Sequence, residues 1–210
     1  MIDYKTVLVT PFSQNCRIFV NDESRECVVF DPGAKAQELY AAIKEAQLTL
    51  KAILITHMHL DHVGGVGLLS KLSECKVYGS SKEDEVIKQS LKHQALMFNL
   101  EQCDDFDNQY LEDGQVIEPM TDFKLKVLHT PGHTPGGVCY YCEAKKLLLS
   151  GDTLFNKSIG RTDFPHGNYD DIIDSIKNKL LTLPKDTTVL CGHGLNTTIE
   201  NEINSNPYLV

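Results

Sequence analysis

The sequence predicts an α+β fold in which β-sheets are covered by helices, within one compact domain of residues 1–210. Short apolar runs alternate with helical patterns along the chain, an order typical of sheets packed against helices. The polar segment 143–146 separates two of the apolar runs, as a β-hairpin requires. A length of 210 residues, of which 41% are hydrophobic and 23% charged, suits one soluble domain, since a domain averages about 150 residues.

Nine short runs predict β-strands, because they are rich in β-branched, aromatic or other apolar residues and are bounded by turn-forming residues. They cover residues 6–9, 16–20, 27–30, 52–55, 76–78, 123–128, 138–141, 147–149 and 187–190. The strands before and after the polar segment 143–146 should therefore pair as neighbours.

Helices are predicted where apolar residues recur every three to four positions. One covers residues 35–46, where Leu39, Ile43 and Ala46 share a face, and others cover residues 81–97 and 169–181. A further helix start is predicted at residues 63–66. Asn168 is the predicted N-cap of the helix at 169–181, whose first turn carries two aspartates.

Composition excludes several classes of function. The chain carries 20 basic and 29 acidic residues, a net charge of −9, so its surface should repel nucleic acid and anionic lipid. No apolar stretch approaches the ~20 residues that cross a bilayer, and the N-terminus does not resemble a signal peptide. The seven cysteines, among them Cys139 and Cys142 within an apolar run, suggest packed, reduced thiols. We therefore expect a cytoplasmic protein without membrane or nucleic-acid partners.

The segment with the strongest functional signal is THMHLDH, at residues 56–62. It leaves the predicted strand 52–55. His57 and His59 are two residues apart, so in an extended chain they point to the same side, and Asp61 and His62 follow on the turn. Four histidine and carboxylate side chains within six residues predict a metal site, because these groups are common metal ligands.

Three other predicted strands end in residues of the same kind. Residues 123–128 lead to His129 and His133, residues 147–149 to Asp152, and residues 187–190 to His193. Glycines flank His133, Asp152 and His193, so the backbone can approach a common centre there. Because ligands of α/β sheets gather at the carboxyl ends of strands, these exits predict one site assembled from distant segments.

A fifth strand exit carries Asp31 in the segment FDPG. This carboxylate is a candidate hydrogen-bond partner for a histidine ligand. A turn-forming aspartate explains the same position about equally well, so both interpretations stay open at this point. Of the other histidines, His129 is expected to be structural and His93 to lie on a solvated helix face, while His166 is a candidate for the entrance of the site.

The ordered motifs THMHLDH, TPGHTPGG, GDTLF and CGHG resemble those of the metallo-β-lactamase superfamily, and within it the glyoxalase II-like hydrolases that cleave glutathione thioesters. The resemblance extends over nearly the whole chain. It implies an αββα sandwich of two mixed sheets flanked by helices, with metals at one edge. It also implies a single domain at 1–210 that lacks the full C-terminal helical substrate domain of longer glyoxalase II enzymes.

The resemblance also implies a site with two divalent metal ions. Zinc is the first choice for this nitrogen-rich ligand set, and iron or manganese are also compatible with its carboxylates. One ion would take three histidines, the other would take Asp61 and two histidines, and Asp152 would bridge them. The implied ligands are His57, His59 and His133 for the first ion, Asp61, His62 and His193 for the second, and Asp152 for both.

The activity that the resemblance implies is hydrolysis of a small-molecule thioester such as S-lactoylglutathione, by a hydroxide that bridges the two metals. Asp61 is the predicted catalytic residue, since it can take or orient a proton of the attacking group. Arg161 and Lys157 are the predicted substrate contacts. Leu195 stands where the family tends to have a tyrosine, and no Lys or Arg follows Lys185.

Other activities of the superfamily are alternatives at this stage. An iron-dependent persulfide dioxygenase would use one metal and fewer ligands, and a hydrolase of another small ester or lactone would use the same centre. β-Lactamases commonly alter the ligand set, and the nuclease branch usually carries extra domains and a basic face. A metal-binding protein without catalysis would be favoured by the loss of a ligand, but all seven candidates are present.

Overall fold

Two β-sheets lie face to face in the computed structural model, which describes residues 1–209. The first sheet contains five strands in chain order: β1 (Ile2–Val9), β2 (Gln14–Asn21), β3 (Glu26–Phe30), β4 (Thr49–Ile55) and β5 (Lys76–Gly79). β1, β2 and β3 pair antiparallel, whereas β3–β4 and β4–β5 pair parallel. The parallel pairs bring the carboxyl ends of β3, β4 and β5 to the same edge.

The second half of the chain contributes eight strands: β6 (Val116–Met120), β7 (Phe123–His129), β8 (Val138–Cys142), β9 (Leu147–Gly151), β10 (Leu154–Phe155), β11 (Ser158–Ile159), β12 (Thr188–Cys191) and β13 (Thr197–Thr198). Six of them form a sheet in the order β13-β12-β9-β8-β7-β6, while β10 and β11 form a separate hairpin. β9 and β12 run parallel, so their carboxyl ends also meet at one edge.

Helices cover the outer face of each sheet. They are α1 (Ala36–Glu45), α2 (Leu60–Val63), α3 (Val66–Ser73), α4 (Glu85–Lys88), α5 (Leu91–Phe98), α6 (Tyr169–Ser175) and α7 (Ile199–Ser205). No helix within residues 1–209 combines the length and apolarity that crossing a membrane demands.

The core has three layers, which explain the αββα order. Alternate residues of the strands point between the sheets, where Phe19 stacks on Phe123 with ring centroids 4.9 Å apart. On the outer face of the first sheet, Leu39 of α1 is buried in the same cluster as Ile53. On the outer face of the second, Ile172 of α6 is buried with the strand residues of that face. Burial of apolar surface on both faces of both sheets stabilises this arrangement.

The predicted α+β sandwich is confirmed, and each of the nine predicted strands lies in a sheet. The predictions missed α7 and four strands, β6, β10, β11 and β13. Of these strands, three have only two residues, and β6 is an edge strand that contains Pro119. Such short or proline-containing edge segments carry little of the period-two pattern from which strands are predicted.

The prediction of one helix over residues 81–97 is wrong. The segment begins with a 3₁₀ turn at Lys82–Asp84 and then forms two helices, α4 and α5, separated at Gln89 and Ser90. The Ser90 hydroxyl donates to the Ile87 carbonyl, a local bond that competes with helix continuation. The break directs Gln94 towards the start of α2, where its side chain is buried.

The helix predicted at 169–181 is confirmed at its start. The Asn168 side chain accepts hydrogen bonds from the backbone N–H groups of Asp170 and Asp171, as an N-cap does. Its second half, Ile176–Leu180, is π-helical instead of α-helical. The hairpin predicted around residues 143–146 is present, with a 3₁₀ turn at Glu143–Lys145 joining β8 to β9.

Candidate metal centre

Four strand exits deliver the predicted ligands to one edge of the sandwich. The chain leaves β4 extended through His57 to His59, and α2 begins at Leu60. That start turns Asp61 and His62 back towards the two earlier histidines. His133, Asp152 and His193 come from the loops after β7, β9 and β12, respectively. All seven predicted side chains therefore converge, although they derive from both sheets.

The first group of candidate ligands is His57, His59 and His133, whose ligand atoms all lie within 4.8 Å of one another. Nδ1 of His59 and Nε2 of His133 are 2.9 Å apart. Nε2 of His57 is buried and has no hydrogen-bond partner among the described residues. A buried ring nitrogen without a partner is costly unless a ligand such as a metal ion occupies the space before it.

The second group is Asp61, His62 and His193. Nε2 of His193 lies 3.3 Å from Oδ2 of Asp61 and 3.3 Å from Nε2 of His62. Asp152 stands between the groups: its Oδ1 is 3.3 Å from Nε2 of His62, and its Oδ2 is 3.6 Å from Nε2 of His133. This is the position from which one carboxylate can reach two ions.

The spacing of the donors fits metal ions. Metal–ligand bonds of about 2.0–2.2 Å place neighbouring ligand atoms of a tetrahedral ion about 3.3–3.6 Å apart. Within each group the ligand atoms lie within 4.8 Å of one another, with 2.9 Å between His59 and His133 and 4.0 Å between Asp61 and His62. Two groups of three donors that share Asp152 also leave room at each ion for a water or substrate, as a catalytic site requires.

Oxygen atoms behind the histidines fix their ring orientation. Nδ1 of His62 donates to Oδ2 of Asp31 at 3.0 Å, and the same oxygen accepts the Thr56 hydroxyl, whose Oγ1 lies 3.1 Å from Nδ1 of His57. Asp31 thus orients two histidines. It also has a positive φ of 48°, so the turn and the hydrogen-bonding role proposed for it both hold.

Backbone carbonyls orient the histidine rings of the other two loops. Nδ1 of His133 donates to the Arg161 carbonyl at 2.7 Å, and Nδ1 of His193 donates to the Phe12 carbonyl at 3.0 Å. Each bond places a proton on Nδ1, so Nε2 is the ring nitrogen that faces the centre.

Burial and mutual charge determine the ionisation of the centre. Burial, with His133 adding to it, lowers the pKa of His59 to about 3, and burial likewise holds the pKa of His57 well below its usual range. For Asp152, burial opposes ionisation, but the imidazoles of His62 and His133 outweigh it and hold its pKa well below the usual range. The second group behaves differently: burial opposes protonation, but Asp152, Asp61 and Asp31 hold the pKa of His62 well above its usual range, and Asp61 and Asp152 raise the pKa of His193. The site thus offers neutral imidazoles at His57 and His59 and ionised carboxylates, whereas metal binding would displace a proton from His62 and from His193.

Gly192 is required by the close approach of the last loop. A Cβ at this position would stand 2.2 Å from Oδ1 of Asp152 and 2.9 Å from Cε1 of His62, too close for any side chain. The glycine therefore allows the His193 loop to pack directly against the bridging carboxylate.

Asp84 was missed by sequence reasoning, although it links two ligand loops. Its Oδ2 accepts the N–H of Met58, between His57 and His59, at 3.0 Å, and its Oδ1 accepts the N–H of Gly136 at 2.8 Å. The side chain is fully buried, and burial raises its pKa to about 6. Because Asp84 lies within a pattern that predicted a continuous helix, no local signal distinguished it from a surface residue.

The residues that pack outward from His59, which we call the mouth, are Phe164, Phe98, Phe12 and Arg161. The predicted substrate contact Arg161 makes a paired hydrogen bond with Asp163, at 2.9 and 2.7 Å, and lies over the Phe164 ring at 4.2 Å. These contacts neutralise its charge locally. Its role in substrate binding stays a prediction.

The remaining predicted residues lie outside the ligand groups. Lys157 is exposed, and its backbone N–H donates to Glu202. His93 and His166 are exposed, and His129 lies against Ser81 and the Pro135 carbonyl. Lys157 and His166 stay predictions as substrate contacts.

Comparison with known proteins gives matches along the whole chain. The sequence is 40% identical over 210 residues to the hydroxyacylglutathione hydrolase GloC of Haemophilus influenzae, an alignment that covers 99% of this chain and 98% of that protein. Among solved structures, the BLEG-1 B3 metallo-beta-lactamase has a TM-score of 0.90 and 37% identity, with 99% of each chain covered. TTHA1623, solved in a di-iron-bound form, has a TM-score of 0.87 and 34% identity, with 98% of this chain and 100% of that chain covered.

The family match agrees with the convergence of the ligand loops. The model of the Metallo-beta-lactamase superfamily matches residues 9–193, a range that begins in β1 and ends at the last candidate ligand, His193. The resemblance inferred from the motifs is thereby confirmed, together with the sandwich fold that it implied. This chain belongs to the metallo-β-lactamase superfamily.

Proposed function

We propose that this protein is a binuclear metal-dependent hydrolase of thioesters, with S-acylglutathiones such as S-lactoylglutathione as substrates. The observation that carries the proposal is the set of seven convergent donors, arranged as two groups around Asp152. The similarity to a hydroxyacylglutathione hydrolase over the whole chain supports the same substrate class.

The residues that would hold the two ions are His57, His59 and His133 on one side, Asp61, His62 and His193 on the other, and Asp152 between them. Zinc is the first candidate because nitrogen donors predominate, and the di-iron form of TTHA1623 makes iron the second. When bound, two divalent ions polarise a carbonyl group and lower the pKa of water, which is the chemistry that hydrolysis needs.

Asp61 is the residue that we assign to proton handling. Its Oδ2 lies 3.3 Å from Nε2 of His193, and its side chain is 18% exposed, so it borders both the donor group and the open side of the site. Its burial opposes ionisation, but His62 and the hydrogen bond from His193 hold its pKa below the usual range. An ionised carboxylate there can orient a water molecule and accept its proton.

A thioester suits this site because its leaving group needs little help. A thiol has a pKa of about 8.5, so it departs as a thiolate without a strong general acid. The titratable groups gathered at the centre are either proposed ligands or hydrogen-bonded behind them, so none of them is free to act as a separate general acid. This supports a substrate whose leaving group needs no such acid.

Elemental analysis and a substrate panel test the proposal. Protein purified without chelator should contain close to two equivalents of metal per chain, and the analysis identifies the metal. The metal-loaded protein should hydrolyse S-lactoylglutathione. If that thioester is inert while a lactone, a β-lactam or a persulfide is consumed, the thioesterase proposal fails and only the metal centre remains.

We also assign the protein to a reducing compartment, which the cytoplasm provides. All seven cysteines are free thiols, and five of them are buried. In an oxidising compartment, exposed thiols would be expected to become oxidised or to pair as disulfides. Unpaired cysteines are ordinary in reducing surroundings.

A further inference from the structure

Three phenylalanine side chains form a row across the mouth, which we call the aromatic row: Phe164, Phe98 and Phe12. Phe164 lies edge-to-face against the candidate ligand His59, with ring centroids 5.6 Å apart. Phe98 packs against Phe164 at 6.2 Å and against Phe12 at 5.9 Å, both nearly perpendicular. The row therefore begins at one group of ligands and extends away from it along the opening.

The aromatic row also reaches the second group of ligands. Phe12 provides the backbone carbonyl that accepts the hydrogen bond from Nδ1 of His193. The row thus contacts the His59 side of the centre through the Phe164 ring and the His193 side through the Phe12 backbone. Its three members come from the β1–β2 turn, the last residue of α5 and the loop after β11, so only the folded chain assembles it.

The row is open to solvent instead of being part of the core. Phe12 is 45% exposed and Phe98 is 37% exposed. Leu195, two residues after His193, is 77% exposed and adds a further apolar side chain close in sequence to the centre. Large apolar side chains that stay exposed together beside a polar centre are characteristic of a binding surface, because nothing in the fold is gained by their exposure.

The charged group that touches the row is itself paired. The guanidinium of Arg161 is bound by Asp163 and covers one face of Phe164. An apolar group gains from contact with the remaining ring faces and edges.

An open groove of about 760 Å³ lies near the row. Its lining includes Pro11 and Asn99, which are adjacent to Phe12 and Phe98 in the sequence, and it combines apolar with charged side chains: Leu60, Leu68, Leu100, Lys35, Glu38, Glu101 and Asp104. Because this lining is mixed, the apolar contacts available to a substrate are those of the three phenylalanines.

From the exposed aromatic row that begins at His59, we infer that the site prefers thioesters with an apolar acyl group, aromatic or of medium chain length, over the small polar lactoyl group. This inference rests on the proposed thioesterase function. The carbonyl lies at the metal centre and the acyl group lies along Phe164, Phe98 and Phe12. Those three residues determine specificity.

The test is a series of S-acylglutathiones with the same leaving group and acyl chains from acetyl to octanoyl, with S-lactoylglutathione for comparison. In the wild type, kcat/KM should rise twofold or more per added methylene. About fourfold is the upper limit, since full burial of a methylene contributes ~0.8 kcal/mol. Phe98→Ala and Phe12→Ala should each flatten the rise of kcat/KM with acyl length.

The matched control is Leu96→Ala, which removes a more exposed apolar side chain, 77% exposed, from the same helix. It should leave the chain-length dependence intact. As a readout independent of turnover, calorimetry should detect octanoate binding more tightly than acetate in the wild type, with the difference lost in Phe98→Ala.

The outcomes separate the two proposals. Turnover of every thioester without dependence on acyl length, or a dependence that survives in both phenylalanine variants, overturns the assignment of the aromatic row but leaves the thioesterase function. Absence of turnover for all thioesters refutes the thioesterase function, and the inference falls with it.

Discussion

The candidate ligands and the oxygen atoms behind their rings, which we call the floor of the centre, are held in place differently from the mouth. In the floor, each candidate histidine ligand of the four loops except His59 has an oxygen behind its Nδ1, from Thr56, Asp31 or a backbone carbonyl. In the mouth, partly exposed aromatic rings meet a surface ion pair. Directional bonds in the floor fix positions to fractions of an ångström, whereas the mouth tolerates change.

This difference indicates that the floor determines metal binding and catalysis, whereas the mouth determines substrate specificity. Substitutions in the floor should abolish metal binding and catalysis together, because hydrogen bonds behind the rings orient most of the donors. Substitutions in the mouth should alter the choice of substrate and leave the metals in place. Four variants test this comparison, from the largest expected effect to the smallest.

Asp152→Asn should produce the largest loss. An amide is a poor bridging ligand, so the variant should retain one equivalent of metal or less and lose about 10³-fold in kcat/KM, several kcal/mol of transition-state stabilisation. Elemental analysis and thioester kinetics measure both changes. The control is Asp107→Asn, which alters an exposed carboxylate and should match the wild type. Two full equivalents of metal in Asp152→Asn would contradict its bridging position.

Asp61→Asn should keep its fold and lose hydrolysis by about 10²–10³-fold, because an amide neither accepts a proton nor binds a metal as strongly. His93→Ala is the matched comparison, since His93 is exposed on α5. It should change kcat and KM by less than twofold. Similar losses in the two variants would refute the division between centre and surface.

Asp84→Asn should weaken metal binding by about 10–100-fold without touching a ligand. The amide keeps one acceptor oxygen, so either Met58 or Gly136 loses its bond and the two ligand loops are no longer joined. Chelator competition measures the affinity, and excess metal should restore most of kcat, which a merely unfolded variant could not do. An unchanged affinity would limit Asp84 to a role in folding.

Arg161→Ala should have the smallest effect and should act on KM more than on kcat. Loss of an exposed ionic contact costs ~0.2–1 kcal/mol, which corresponds to an increase of up to about fivefold in KM for S-lactoylglutathione. Asp163→Ala is its counterpart, because it frees the guanidinium and should lower KM if Arg161 binds a substrate carboxylate. If KM stays constant in both variants, Arg161 serves only to support Phe164.

Much of the fold was predictable because its signals are local. β8 and β9 were recognised from apolar runs on either side of a polar break, and the N-cap at Asn168 from the residue types that follow it. The helix at 81–97 was mispredicted because Ser90 and Gln94 are compatible with helical periodicity. Their hydrogen bonds to Ile87 and Leu60 depend on segments brought near only by folding.

The candidate ligands were equally local. Each lies at the end of an apolar strand, beside glycines or within the THMHLDH motif, so strand exits pointed to all seven, together with His129 and Asp31. The sequence by itself thus determined the sheets covered by helices and located the candidate donors. The sandwich, the set of seven ligands and the superfamily followed from the resemblance of the motifs.

Only the tertiary structure decided what surrounds the donors. Phe12, Phe98 and Phe164 are ordinary apolar residues in their own segments, and they become one row because three distant loops end at the same opening. Asp84 and Asp31 likewise gain their partners from other loops. Contacts between side chains of common type leave no periodic pattern in the sequence. They depend on how the packed layers position the loops, and the mouth is formed in this way.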